Sequence, residues 1–441
     1  MGDRNEVFFK MKSPEIYRIF TEGKCGISVD SRSVSEGNIF FALRGESFDG
    51  NQFASEALSR GASLAVIDNK DYCTEGTLLV KDALSELQAL ASAYRRNMAV
   101  PLLAITGSNG KTTSKELITR TLSGKKKIHY TSGNLNNHIG VPLTLLSAPS
   151  DTEFIIIEMG ANHVGEIKQL CEIAAPQYGI ITNMGKAHLE GFGSFNGVIE
   201  AKSELYKYLS ESNGLVFFNP DDEILTDILS GLKVDSRSYY ELRQGKIDIV
   251  SVKADPFLTI AFELDGSMNR IESKLFGKYN LENILAALCT GSYFGAPFDE
   301  MIEAIESYQP ENNRSQILVT GSNTLICDAY NANPVSMRNA IISFMEAPGG
   351  GKTMILGDML ELGEYSSREH SDIVDLIMSF DEVIRILVGP LFSAVATGRD
   401  ITLFNDTSEL IKYLSDNPIK DNFVLVKGSR VLKMEEAFKY L

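Results

Sequence analysis

The stretch T-G-S-N-G-K-T-T at residues 106–113 directs the interpretation of this sequence. It follows the apolar run Leu102–Ile105 and precedes a helical pattern that begins near Thr112. Small residues between a strand and a helix let backbone N–H groups surround an anion at the positive end of the helix dipole. We therefore predict a phosphate-binding loop in which Lys111 supplies positive charge and Thr112 a hydroxyl for Mg²⁺. The predicted loop comprises Thr106, Gly107, Ser108, Asn109, Gly110, Lys111, Thr112 and Thr113.

The spacing of this loop is unusual, because only Ser108 and Asn109 separate its two glycines where a standard phosphate loop has four residues. Two other glycine-rich stretches do not qualify. Residues 349–353 lead into an apolar strand at 354–356, so we interpret them as a connection. Residues 191–197 have the wrong glycine spacing for a dinucleotide site, and no apolar strand precedes them.

Composition limits the classes of function. A chain of 441 residues with 44% hydrophobic residues predicts about three domains with ample cores. The net charge of −16 opposes nonspecific attraction to nucleic acid or anionic membranes, so an anionic substrate has to meet local positive charge. The five scattered cysteines suggest reduced thiols and no zinc site. Because Asp3, Arg4 and Glu6 precede no long apolar segment, we expect a cytoplasmic protein without signal peptide or membrane span.

The order of apolar runs predicts an α/β protein with three units. A small α/β domain is expected at residues 1–98, a mostly parallel sheet at 99–310, and a second doubly wound sheet at 311–441, after a polar linker at 308–313. The predicted strands are residues 39–43, 63–67, 154–157, 178–181, 214–218, 324–327, 354–356, 383–388 and 423–426. The predicted helices are residues 52–60, 280–294, 335–345 and 370–379.

Ligands of parallel sheets collect at the carboxyl ends of the strands, where Glu158, Thr182, Asn183 and Asn219 would lie. Glu158 fits an Mg²⁺ ligand, and the less favoured alternative is a capping or surface glutamate. Several further polar side chains have no distinguishing local context, and a lone histidine is more often structural than a ligand. These individually unremarkable residues are His188, Lys202, Arg314 and Asp328.

Taken in order, the motifs of this chain resemble the Mur ligases of bacterial cell-wall synthesis, whose own phosphate loop is G-x-x-G-K-T-T. The resemblance covers essentially the whole chain. The motifs are T-G-S-N-G-K-T-T, G-N-L-N-N-H-I-G-V-P from Gly133, E-M-G-A-N from Glu158, N-M-G-K-A-H-L-E-G-F-G from Asn183, A-K-S-E from Ala201, G-K-Y-N-L-E-N from Gly277, N-R-S-Q from Asn313, D-A-Y-N-A-N-P from Asp328 and G-D-M-L-E-L-G from Gly357. The last two, with D-S-R from Asp30 and R-G-E-S-F-D-G from Arg44, are most similar to the branch that adds D-alanyl-D-alanine to UDP-N-acetylmuramoyl-tripeptide.

The resemblance implies a uridine-nucleotide domain, a central ATPase and a C-terminal Rossmann-like domain that binds the dipeptide. At the nucleotide it implies Lys111 on the β- and γ-phosphates, Thr112 and Glu158 on one Mg²⁺, His188 on a second, Lys202 as a carbamylated lysine, Asn280 and Asn283 at adenine, Asp328 at ribose, and Arg314 at the γ-phosphate. At the other substrates it implies Ser31, Arg32 and the loop 45–50 for the uridine nucleotide, Asn134, Asn136 and Asn137 for its sugar and peptide, and Asn331, Asn333, Asp358 and Glu361 for the dipeptide.

The implied reaction begins when the tripeptide carboxylate attacks ATP, which gives an acyl phosphate for the dipeptide amine. Lys111, His188, Lys202 and Arg314 are the implied catalytic residues, and we expect a monomer that binds no nucleic acid. One alternative is another ligase of the superfamily, such as the one adding the third amino acid or a folylpolyglutamate synthetase. A second is a nucleotide-dependent regulatory protein that has lost ligation, although the retained site residues argue against it.

Overall fold

A computed structural model describes residues 13–45, 47–311 and 313–441 of the chain. The N-terminal residues Asp3, Arg4 and Glu6, on which the expectation of no signal peptide depends, lie outside the described residues, as do Glu46 of the loop 45–50 and Asn312 of the linker. The α/β class with parallel sheets is confirmed. We call the described residues up to 98 the first unit, those from 99 to 310 the central unit, and those from 311 onward the third unit.

The first unit is built on a parallel sheet of order β1-β2-β5-β6. Its strands are β1 (Ile27–Ser28), β2 (Ile39–Phe41), β5 (Leu64–Ile67) and β6 (Thr77–Leu79), with a small hairpin of β3 (Arg44–Gly45) and β4 (Phe48–Asp49). Its helices are α1 (Pro14–Gly23), α2 (Ala54–Ser59) and α3 (Ala83–Asn97). The predicted strands 39–43 and 63–67 and helix 52–60 correspond to β2, β5 and α2.

The central unit contains a six-stranded parallel sheet of order β12-β11-β10-β7-β9-β8. Its strands are β7 (Leu102–Thr106), β8 (Ile128–Tyr130), β9 (Phe154–Glu158), β10 (Tyr178–Ile181), β11 (Leu215–Phe218) and β12 (Asp235–Ser238). Its helices are α4 (Lys111–Ser123), α5 (Gly140–Leu146), α6 (Glu166–Ala174), α7 (Leu189–Phe192), α8 (Phe195–Ser212), α9 (Glu223–Ser230), α10 (Leu281–Tyr293) and α11 (Phe298–Ser307). After β7 the chain forms β8 and β9 on one side of β7, and then β10, β11 and β12 on the other side. The carboxyl end of β7 therefore lies at the topological switch point of the sheet.

A four-stranded antiparallel sheet in the central unit was not predicted. Its strands, in the order β13-β14-β15-β16, are β13 (Glu241–Leu242), β14 (Gly245–Ala254), β15 (Phe257–Leu264) and β16 (Ser267–Phe276). The sequence carries its signal, since Asp265-Gly266 joins β15 and β16 with positive φ at both residues, the combination that a tight hairpin turn favours. In β15, buried and more exposed side chains alternate as in a sheet with one covered face.

The third unit contains a six-stranded sheet of order β17-β18-β22-β19-β20-β21, in which only the edge strand β17 is antiparallel to its neighbour. Its strands are β17 (Gln316–Val319), β18 (Thr324–Asp328), β19 (Gly351–Gly357), β20 (Val383–Val388), β21 (Thr402–Phe404) and β22 (Asn422–Lys427). Its helices are α12 (Pro334–Glu346), α13 (Ser366–Met378), α14 (Pro390–Ala396) and α15 (Thr407–Asp416). Residues 349–353 enter β19, as expected of a connection.

The three units share one hydrophobic cluster, which includes Leu87 of the first, Ile157 of the central and Leu356 of the third unit. The ring of Phe276, at the end of β16, meets that of Phe423 in β22 at a centroid distance of 6.5 Å. A fully buried phenylalanine contributes roughly 1.5–3 kcal/mol through removal of apolar surface from water. Apolar packing therefore helps to fix the third unit against the central one.

Candidate active site

The predicted phosphate loop connects β7 to α4 at the switch point of the central sheet. Two of its residues require glycine. Gly107 has φ of +142°, and a Cβ there would lie 1.9 Å from Thr182 Oγ1. Gly110 has φ of +79°, and a Cβ there would lie 2.5 Å from Asn283 Oδ1. The loop therefore approaches its neighbours too closely for any side chain at these positions.

The residues after β10 hold the loop from the side. Thr182 Oγ1 donates to the carbonyl of Asn109 at 2.5 Å, and Asn183 Oδ1 accepts from the Asn109 backbone N–H at 3.0 Å. The Ser108 hydroxyl donates to the carbonyl of Gly185 at 2.8 Å. Thr182 and Asn183, which were expected at the carboxyl end of the sheet, thus position the loop.

Lys111 begins α4 and folds back over the loop, where its Nζ donates to the carbonyl of Gly107 at 2.8 Å. Burial lowers the pKa of Lys111, the nearby Glu158 opposes that effect, and Arg314 adds to it. Arg314, from the beginning of the third unit, therefore lies near enough to act electrostatically on this lysine. The positive charge of Lys111 at the loop is what binding of a polyphosphate requires.

Glu158 ends β9, and 2% of its surface is exposed. Its two carboxylate oxygens accept from the Thr112 hydroxyl and from Asn136 Nδ2, each at 2.9 Å. Its backbone N–H donates to the buried hydroxyl of Thr131 at 2.9 Å. A hydroxyl and a carboxylate thus meet beside the phosphate loop, and such hard oxygen donors suit Mg²⁺.

His188 precedes α7 with φ of +53°, and its Nδ1 faces the carboxylate of Glu361 from the third unit. This contact lowers the pKa of Glu361. The pairing orients the imidazole ring in the way that a carboxylate orients a metal-binding histidine. Among the described residues, no group of three or more His, Cys, Asp or Glu side chains is arranged to hold a metal ion.

Lys202 lies on α8 with 2% of its surface exposed. Burial, and secondarily the charge of Lys111, lowers its pKa well below the usual range. Its Nζ lies 5.7 Å from the ring centroid of Phe192. Within the part of the chain that the structure describes, it forms no ion pair with a carboxylate, so its environment disfavours the charged ammonium.

Asn280 and Asn283 lie behind the phosphate loop and are both buried. Asn280 Nδ2 donates to the carbonyl of Phe276 at 2.8 Å, and Asn283 Nδ2 donates to Asn280 Oδ1 at 2.7 Å. Asn283 Oδ1 accepts from the Ser114 hydroxyl at 2.9 Å, which ties α10 to α4. These contacts assign the two asparagines a supporting role, and their contact with adenine stays a prediction.

In the third unit, Asp328 lies at the end of β18 and accepts from Lys427 Nζ at 2.6 Å and from the Ser315 backbone N–H at 3.0 Å. Lys427 is 2% exposed and was missed by the sequence analysis, although it ends the apolar strand β22. Arg314 stacks on Tyr330, with its Cζ 3.6 Å from the ring centroid. The arginine is thereby fixed near the junction of the two units.

Asn333 caps α12, since its Oδ1 accepts from the Ser336 N–H at 2.9 Å, while its Nδ2 donates to Asn109 Oδ1 of the phosphate loop at 2.8 Å. Asn331 Oδ1 accepts from the N–H of Ala332 at 2.9 Å. Asp358, expected near the dipeptide, has a structural role, and its part in a dipeptide pocket stays a prediction. It is 1% exposed, and its carboxylate accepts from the N–H groups of Leu391 and Phe392 at the beginning of α14, so it stabilises that helix.

In the first unit, the Ser31 hydroxyl donates to Glu56 Oε2 at 3.2 Å. Arg32 pairs with Asp30 at 2.7 Å, and 82% of its side chain is exposed. The structure therefore leaves the guanidinium accessible to a ligand.

The loop after β8 carries the three asparagines expected near the sugar and peptide. Asn136 contacts Glu158, and Asn137 Oδ1 accepts from the N–H groups of Ile139 and Gly140 at the beginning of α5. Asn134 is exposed. Of the three, only Asn136 contacts the predicted metal ligands among the described residues.

Three family models match successive parts of the chain. Residues 25–104 match the model of the Mur ligase family catalytic domain, residues 105–291 that of the Mur ligase middle domain, and residues 313–430 that of the Mur ligase glutamate ligase domain. The chain is 33% identical over 429 residues to the UDP-N-acetylmuramoyl-tripeptide--D-alanyl-D-alanine ligase of Bacillus subtilis, with 94% of this chain and 93% of that protein covered.

Two solved structures are similar over nearly their whole length. MurF from Acinetobacter baumannii has a TM-score of 0.85 at 29% identity, covering 94% of this chain and 92% of that one. MurF ligase from Thermotoga maritima in complex with ADP has a TM-score of 0.83 at 27% identity, covering 94% and 96%. No helix among the described residues is long and apolar enough to cross a membrane.

Proposed function

The chain belongs to the Mur ligase family, and on that premise we propose that it joins D-alanyl-D-alanine to UDP-N-acetylmuramoyl-tripeptide in peptidoglycan precursor synthesis. The observation that carries the proposal is full-length similarity to a ligase of that name, combined with a phosphate loop whose Lys111 and Thr112 adjoin Glu158. ATP is the proposed energy source, in agreement with a similar structure that holds ADP. Products are the amide, ADP and phosphate.

We assign the uridine nucleotide to residues 1–98, ATP to 99–310 and the dipeptide to 311–441. These boundaries fall between α3 and β7 and between α11 and β17, where one unit's last helix precedes the next unit's first strand. The reaction is placed in the cytoplasm, which agrees with five free cysteines. A monomer is proposed.

The residues present fit Mg²⁺. Thr112 and Glu158 bring hydroxyl and carboxylate oxygens within 2.9 Å of each other, and His188 would hold a second ion. The lowered pKa of Lys202 favours the neutral amine, which is the form that reacts with CO₂ to give an anionic carbamate. Such a carbamate would supply oxygen ligands where the unmodified lysine offers a cation. Bound Mg²⁺ would neutralise phosphate charge during the transfer.

In the proposed mechanism, a carboxylate oxygen of the tripeptide attacks the γ-phosphorus of ATP and ADP leaves, which gives an acyl phosphate. The dipeptide amine then adds to the activated carbonyl, loses a proton, and the tetrahedral intermediate expels phosphate. Lys111 and Arg314 stabilise the negative charge as it moves between the phosphate oxygens. The protein supplies orientation and charge, and no side chain needs to form a covalent bond with the substrate.

A product-forming assay tests this proposal. The purified protein is incubated with ATP, Mg²⁺, UDP-N-acetylmuramoyl-tripeptide carrying either lysine or diaminopimelate, and D-alanyl-D-alanine, and the amide product is identified by mass spectrometry. We expect stoichiometric ADP and pentapeptide product. ADP formation with a free amino acid but not with the dipeptide would instead indicate another ligase of the superfamily. ATP binding without phosphate release across all acceptors would indicate a regulatory protein.

A further inference from the structure

The segment at residues 182–190, which we call the β10–α7 segment, contacts the phosphate loop on one side and the third unit on the other. Toward the loop, Thr182 and Asn183 hold the backbone of Asn109. Toward the third unit, the N–H of Glu190 donates to the carbonyl of Glu361 at 3.1 Å. The segment therefore links the third unit to the phosphate loop, in addition to the direct contact of Asn333 with Asn109.

One ion pair links this segment to α13. Lys186 Nζ lies 2.7 Å from Glu369 Oε1, and the two side chains are 47% and 7% exposed. A carboxylate so far removed from water is stable only with a hydrogen-bonded or charged partner. Lys186, by contrast, is half exposed and would be well hydrated without the pair. The geometry therefore makes Glu369 depend on Lys186 more than the reverse.

Glu369 lies next to a buried, hydrogen-bonded histidine of the third unit. The adjacent His370 is 0% exposed, and its Nε2 accepts from the N–H of Met359 at 3.0 Å while its Nδ1 donates to the carbonyl of Ser366 at 2.7 Å. Burial lowers the pKa of His370, in keeping with this neutral form. The histidine thus ties α13 to the loop that carries Glu361, which faces His188.

We propose that Lys186 and Glu369 are a positioning pair that holds the third unit against the β10–α7 segment, and so aligns the dipeptide with the phosphate loop. The inference rests on the proposed function. Neither residue is assigned to a reacting atom, and both act through neighbours that adjoin His188 and Asn109. The phosphate loop is held mainly by contacts within the central unit, so loss of the pair should impair alignment of the dipeptide more than nucleotide binding.

A double-mutant cycle on the full-length protein tests the pair with Lys186→Met, Glu369→Gln and the double variant. Each single variant should lower kcat/KM for D-alanyl-D-alanine by about tenfold, since one charge loses its partner. The double variant should be no worse than the poorer single one, because partners that act together are not additive. ADP affinity should stay within about twofold of wild type, and Lys186→Arg should retain activity.

The Lys278–Glu346 pair is a matched control, because it also joins the central and third units, at 2.9 Å, but with both side chains about half exposed. Lys278→Met and Glu346→Gln should have little effect. Three outcomes would each overturn the proposal of a positioning pair. The single variants could match wild type in kcat/KM, their losses could multiply in the double variant, or ADP affinity could fall as much as kcat/KM. If wild type itself forms no product, the proposed function fails; if it does and the variants match it, only this inference fails.

Discussion

At the scale of single residues, the site combines groups whose chemistry depends on burial. Lys202 is enclosed without a carboxylate partner among the described residues, whereas the buried Lys427 is paired with Asp328 at 2.6 Å. Removing a cation from water costs free energy. An ion pair offsets this cost at Lys427, whereas the environment of Lys202 favours the neutral amine. The paired lysine stabilises the structure around β18, and the lysine without a carboxylate is chemically available for modification.

Lys202 therefore yields a prediction at this scale. Lys202→Ala should abolish ligation, and millimolar acetate or another short carboxylate should partly restore it by supplying the missing oxygen ligand. Turnover measured against carboxylate concentration checks the result. Lys207→Ala, on the exposed face of the same helix, should be active without rescue. Full activity of Lys202→Ala would exclude a carbamate from the reaction.

At the scale of secondary-structure elements, apolar runs predicted the strands that carry the site but left out many of the other described elements. The strands that carry the site, β7, β9 and β10, are short runs of buried apolar residues, and such runs stand out in a sequence. The antiparallel sheet was missed, although alternation in β15 and the Asp265-Gly266 turn were available signals. Continuous apolar runs do not mark strands that are buried on one face only, because apolar and polar residues alternate in such strands.

Helix α10 yields a prediction about stability. Glu282, in its first turn, has its pKa raised to about 7 by burial, and further by Asp222 and Asp221. Because the unfolded pKa is lower, at 4.5, the folded protein holds the proton more tightly, and stability falls as pH rises from about 4.5 to about 7. Glu282→Gln should therefore match wild type near pH 4.5 and be more stable above pH 7, by at most about 3 kcal/mol.

Urea unfolding of both proteins between about pH 4.5 and 8 measures this difference. Glu303→Gln, an exposed glutamate on α11, should show no such pH-dependent gain. If the free energies of unfolding of Glu282→Gln and wild type differ by the same amount at all pH values, then burial and the two aspartates do not raise the pKa of this carboxyl group.

At the scale of the whole molecule, the site is formed where two sheets meet. The phosphate loop and Glu158 belong to the central unit, whereas Arg314, Asn333 and Glu361 approach from the third. Contacts between the units should influence chemistry more than ADP affinity.

Arg314 yields the corresponding prediction. Arg314→Lys keeps the charge but loses the planar group that stacks on Tyr330, so the cation should no longer be held toward the phosphate loop. We expect kcat to fall by about tenfold or more while ADP affinity changes little. Steady-state kinetics and calorimetry with ADP measure the two quantities. Arg430→Lys, whose Cζ lies 5.3 Å from the same ring centroid, is the control and should stay near wild type.

The sequence by itself determined the α/β class, the phosphate loop and the strands that bear Glu158 and Asp328, because burial periodicity and glycine-rich turns are local patterns. It could not determine that Asn333 contacts Asn109, 224 residues away, or that Glu369 contacts Lys186, 183 residues away. Nor did it indicate that the carboxylate of Asp358 supports α14. Only the tertiary structure decides such pairs, because strand order and the packing of one unit on another bring distant residues together, and neither leaves a periodic trace in the chain.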